Sequence, residues 1–164
     1  MKKILDDFID WAKFNKWQYN HKNSESLVLP LELTKRYTII PKEYLEFLKN
    51  IEACISPDEK TWFLDINDFS NNSDSAYKWN EIEEMCVLEA EGDEEWKREI
   101  VEFWDQHIPI IFSVKNGYAY YAINVGNKFG TIVYGIEPEF EEVELIATTF
   151  KEFLDGIAKN NIKL

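Results

Sequence analysis

The chain has 164 residues, 45% hydrophobic and 15% aromatic, which is material for one domain with a sizeable core and excludes a disordered tail. Its formal net charge is -13, yet the first 60 residues carry ten Lys/Arg against ten Asp/Glu, so the whole acidic excess follows them. A field of that sign repels nucleic-acid backbones and anionic membranes and can speed encounter with a basic partner.

Residues 1–164 are expected to form a single cytoplasmic domain. Asp6, Asp7 and Asp10 interrupt the apolar run that Met1-Lys2-Lys3-Ile4-Leu5 would need to become a signal peptide, and no later run is long enough to span a bilayer. Cys54 and Cys86 are a distant pair without metal-ligand spacing and read as reduced, buried thiols.

In chain order, Lys3 to Lys16 places Ile4, Phe8, Ile9, Trp11 and Phe14 along a helical stripe. A short extended piece is expected around Leu27-Val28-Leu29. Pro41 suits the first position of a helix whose apolar face is Tyr44, Leu45, Phe47, Leu48 and Ile51, with Asn50-Ile51-Glu52-Ala53 leading into a loop. Thr61 to Leu64 reads as a short strand, and Ser70-Asn71-Asn72-Ser73-Asp74-Ser75 as an internal polar loop. Trp79 to Ala90 reads as a helix with Ile82, Met85, Cys86 and Leu88 turned inward. Asp93 can cap the next helix, where Trp96, Ile100, Phe103 and Trp104 recur at core-facing spacing.

Ile110 to Ile123 has the pattern of a hairpin around Asn116-Gly117, a pair suited to a type I′ turn. Pairing Lys115 with Tyr118 puts Phe112, Val114, Ala119 and Tyr121 on one face and Ser113, Tyr118 and Tyr120 on the other. A third strand over Gly130 to Ile136 and a fourth over Val143 to Ala147 follow, separated by an acidic loop. Thr149-Phe150-Lys151-Glu152 has capping-box spacing and opens a last helix that buries Phe150, Phe153, Leu154 and Ile157. The predicted class is α+β: N-terminal helices, a central, mainly antiparallel sheet and a closing C-terminal helix.

Two segments carry the negative charge. Trp79 to Asp105 holds eleven carboxylates against Lys97 and Arg98, and Glu137 to Glu144 holds five with no cation. Raw material for catalysis is thin. There are two His, and no nucleophile-elbow, P-loop or dinucleotide glycine pattern occurs. Asp105 and His107 with Cys54 or Ser113 could compose a nucleophilic set only if the fold assembled them. A calcium loop needs alternating oxygens and a turn glycine followed by a distal Glu, a spacing that Glu91, Asp93, Glu94 and Glu95 do not have, so no metal, cofactor or catalytic residue is assigned.

The chain nevertheless contains an ordered series of motifs. Ile40-Pro41-Lys42-Glu43-Tyr44-Leu45-Glu46-Phe47-Leu48 comes first, then His107-Ile108-Pro109-Ile110-Ile111-Phe112 before the Asn116-Gly117 hairpin and Tyr121-Ala122-Ile123-Asn124. Ile146-Ala147-Thr148-Thr149-Phe150-Lys151-Glu152-Phe153-Leu154 closes it. This order resembles the SUKH superfamily, which includes bacterial immunity proteins and fungal cell-wall assembly regulators. The resemblance implies a binding domain, since bacterial members commonly sit beside polymorphic toxin genes and neutralise a toxin domain, often a nuclease or deaminase. It supplies no catalytic residue. The expected partner is a cognate toxin protein with a basic surface, with neither nucleic acid nor membrane bound. A regulatory protein-binding adaptor is the alternative, with a hydrolase behind it. Charge and aromatic content nominate Glu91, Asp93, Glu94, Glu95, Tyr118, Tyr120, Glu137, Glu139, Glu141 and Glu142 as partner-binding residues.

Overall fold

A computed structural model describes residues 1–21 and 26–164. The elements are α1 (Lys2–Phe14), β1 (Gln18–His21), α2 (Leu31–Arg36), α3 (Lys42–Asn50), β2 (Ile51–Ile55), β3 (Thr61–Phe63) and α4 (Ile66–Phe69). They continue with α5 (Glu81–Glu89), α6 (Glu94–Trp104), β4 (His107–Ser113), β5 (Ala119–Asn124), β6 (Ile132–Ile136), β7 (Glu144–Ala147) and α7 (Phe150–Ala158). The strands form one 7-stranded antiparallel sheet in sequence order, β1 to β7. The architecture is α+β, with helices at the N-terminal end and a C-terminal helix closing the chain. Among the described residues no helix is long and apolar enough to cross a membrane.

Strand pairing sorts the side chains into two faces. One cross-strand row is Phe63, Ile111, Tyr121 and Tyr134; the next is Trp62, Phe112, Tyr120 and Gly135. The first face is covered by α1, α3 and α7. Phe47 stands 5.3 Å from both Phe63 and Phe150, Phe8 lies 5.3 Å from Phe63, and Tyr121 meets Phe153 at 5.3 Å. The second face is covered by α5, α6 and the loop before β7, with Trp104 at 4.8 Å from Tyr120. A sheet covered on both sides has strands without polar alternation, and every residue of β5 is buried.

That burial explains where the expected register fails. Innermost partners are Ser113 and Ala119, leaving Val114 to Tyr118 as the loop, one residue out of step with a Lys115–Tyr118 pairing. A type I′ turn needs positive φ at both central residues, and only Gly117 supplies it, at +97°. Tyr120 consequently pairs with Phe112 and shares its face, opposite Tyr121.

Other expectations need smaller corrections. Ile51 starts β2 directly after α3, so no loop intervenes there. Leu88, expected inside, is 70% exposed; Phe14 is largely exposed and Trp96 is 43% exposed. Leu27-Val28-Leu29 forms no strand, whereas β1, α2 and α4 were not foreseen.

Candidate functional site

Both acidic segments lie over the Trp62–Tyr120 face of the sheet. Ile82 and Met85 of α5 come down beside Trp62, Phe112 and Tyr118, and Cys86 on the same helix meets Glu141 of the loop before β7. Burial, and then this carboxylate, push the Cys86 thiol up, keeping it protonated. Tyr120 ties the loop to the sheet by donating its hydroxyl to the Phe140 carbonyl. Helix and loop are thus fixed as one acidic surface.

Within it the nominated residues have different tasks. Asp93 caps α6, accepting from the backbone N–H groups of Glu95 and Trp96 at 3.1 and 3.0 Å. Glu94 pairs with Lys97 at 3.0 Å and Glu95 with Arg98 at 3.8 Å, all on the exposed first turns of the helix. Glu91 is exposed on the rim of a groove of about 550 Å³ that also contains Arg36, Glu83, Leu88 and Lys97. Arg36 forks onto Glu83 at 2.6 and 2.7 Å and reaches Asp105 at 2.8 Å. Glu137 packs over Gly117 of the hairpin, where any side chain would collide with its carboxylate. Glu139 and Glu142 are exposed, and Glu141 is half-buried. Tyr118 is half-buried against Tyr77 at 6.1 Å. Tyr120 is 0% exposed and belongs to the core, so it has no surface to offer a partner.

Beside Tyr118 the sheet opens into a cleft of about 500 Å³ that the sequence did not disclose. Trp62 of β3 and Tyr77, just after the polar loop, form one side of it, their rings in contact at 5.5 Å and tilted by 31°. Asp65 and Asp68 lie at its base, joined in a reciprocal cap of α4: Asp65 N–H donates to Asp68 Oδ2 at 2.9 Å, while Asp65 Oδ1 accepts from Asn67 and Asp68 N–H groups. The sequence signal was a capping spacing, Asp65-x-x-Asp68, ahead of Phe69.

These carboxyls titrate abnormally. Burial first, then the Asp68 charge and more weakly that of Glu52, push Asp65 up to about 6, against the pull of its two backbone N–H bonds. Stability contributed by the protonated form is fully present below about pH 4 and is lost as pH rises through about 6. Buried His107 has the opposite sign. Its Nδ1–H donates to the Phe103 carbonyl at 2.7 Å and its Nε2 accepts from Asn124 Nδ2 at 2.9 Å, an amide oriented by Gly126 and Lys128 N–H groups on its Oδ1. Burial lowers its affinity for a second proton, so its contribution is present above about pH 6.5 and lost on acidification. Asp65→Asn keeps a good cap and removes one of these opposed effects. Its stability relative to the wild type, read from urea midpoints, should decline as pH falls from about 7.5 to about 5. A difference constant across that range would contradict the raised Asp65.

The imagined nucleophilic set is not assembled. Asp105 is bound to Arg36, His107 to Phe103 and Asn124, and Ser113 Oγ to Thr61 Oγ1 at 2.9 Å. Cys54 is buried, which pushes its thiol up and away from the nucleophilic thiolate. No group of three or more metal-ligating side chains occurs among the described residues.

A family model described as SMI1 / KNR4 family (SUKH-1) matches residues 31–156, from the start of α2 into α7. No curated protein matches the chain.

Proposed function

Because the chain belongs to the SMI1 / KNR4 family (SUKH-1), a family of immunity and regulatory proteins, we propose that it is an immunity protein that binds and neutralises a cognate toxin domain bearing a basic surface. The observation that carries this reading is the acidic surface: α5, α6 and the loop of residues 137–142 stand on one face of the sheet. The cations there are already engaged, Lys97 by Glu94, Arg98 by Glu95 and Glu102, and Arg36 by Glu83 and Asp105. Glu91, Glu139 and Glu142 remain exposed without an ion pair among the described residues. Such a surface steers a positively charged partner and rejects acidic ones.

Neutralisation by binding is stoichiometric. Titrating a purified cognate toxin, a nuclease or a deaminase, should give inhibition that saturates near one equivalent when concentrations exceed the dissociation constant. Raising ionic strength from about 0.05 to about 0.5 M should slow association roughly tenfold while changing dissociation much less. The charge reversals Glu94→Lys/Glu95→Lys and Glu139→Lys/Glu141→Lys divide the effect between helix and loop. Progressive inactivation of toxin at substoichiometric protein would restore an enzymatic reading. Recovery of several unrelated partners at comparable affinity would instead favour the adaptor.

A further inference from the structure

We propose that the cleft between β3 and the loop of residues 73–77 is the seat of one arginine side chain projecting from the partner, lying against the adjoining Trp62 and Tyr77 rings and paired with Asp65. This inference rests on the reading of a basic protein partner and assigns the residue type that anchors it.

Four acidic residues, Glu59, Asp65, Asp68 and Asp74, line the cleft, and none is in an ion pair among the described residues. Asp68 is only 7% exposed, and its carboxylate is held by Asp65 N–H and Ser73. Asp65 spends Oδ1 on the two N–H groups of α4, whereas Oδ2 has no hydrogen bond within the described protein. Negative charge drawn out of water without a cation is costly, and an arriving cation removes that cost. The groove between α5 and α6 differs in this respect, because Arg36 and Lys97 already occupy it.

Shape and wall chemistry select the kind of cation. A guanidinium can lay its plane on an aromatic face while its edge donates to the open Oδ2 of Asp65, whereas an ammonium is a compact, strongly hydrated charge without that planar face. Ala53, Ile55 and Val114 complete the cleft with apolar surface for the methylene stem. Its volume of about 500 Å³ leaves room for the backbone that carries the side chain.

The test uses the full chain and N-acetyl-arginine amide, followed by ¹H–¹⁵N NMR with the Trp62 indole signal as reporter. Expected is a saturable shift with a millimolar dissociation constant, absent with the uncharged citrulline analogue and weakened at least about tenfold in Asp65→Asn and in Asp74→Asn. Circular-dichroism melts of both variants serve as the folding control. Lack of saturation, an equal response to citrulline, or unchanged affinity in both folded variants would overturn the assignment. Failure here with salt-sensitive toxin association removes the arginine seat alone. A positive result with salt-independent toxin association keeps the seat and removes the acidic-surface reading.

Discussion

Tyr120→Ala should lower stability by about 3–5 kcal/mol, the range for truncating a large aromatic in a packed core. The ring is fully buried between the sheet and α6, 4.8 Å from Trp104 and 6.4 Å from Phe140. Its hydroxyl also satisfies the Phe140 carbonyl, and a buried acceptor deprived of its donor costs about 1–3 kcal/mol within that total. Burial dominates its titration as well and raises the phenol far above its usual range, so it remains a hydrogen-bond donor at any pH the fold tolerates. Tyr118→Ala should cost less than half as much, because that ring is only half-buried and has Tyr77 as its aromatic neighbour. Denaturant midpoints of the two variants measure the contrast. Loss of less than about 1 kcal/mol for Tyr120→Ala would contradict the packing described for this face.

The same residue shows what could be read from the chain and what could not. Helix ends were legible because their causes are local: Asp93 caps α6, and Thr149 caps α7 by accepting from Glu152 N–H at 3.1 Å. Apolar positions at helical spacing identified Ile100, Trp104, Phe153 and Ile157 as core for the same reason. Hairpin register was not legible, since helices cover both faces of β4 and β5 and remove the alternation that fixes it. Strand β1, Gln18-Tyr19-Asn20-His21, has little apolar signal and is an edge strand paired to β2. Ile51 suits a helix face as well as a strand, which concealed the direct passage from α3 into β2.

Acidity was visible from composition alone, and the fold adds that two segments separated by more than thirty residues in sequence stand together through Cys86, Glu141 and Tyr120. The cleft was invisible for the complementary reason. Tyr77 reaches Trp62 only because the polar loop turns back across the sheet, and no local periodicity encodes that return. Asp65 and Asp68 then acquire abnormal proton affinity from burial, a tertiary property.

Gly135→Ala supplies the most demanding check on the register. Gly135 is the cross-strand partner of Tyr120, and an added Cβ would lie 2.6 Å from the phenolic oxygen and closer still to Cε1 and Cζ. The ring cannot swing aside, because Trp104 packs against it and Phe140 holds its hydroxyl. Overpacking should therefore cost about 1–3 kcal/mol in the wild-type background. In a Tyr120→Ala background the obstacle is gone, and alanine in a strand is about 0.5–1 kcal/mol better than glycine because less backbone entropy is lost. The sign should reverse: the double variant should be more stable than Tyr120→Ala alone. A double-mutant cycle from urea midpoints measures this coupling, and additive losses would mean that the two residues do not face each other across β5 and β6.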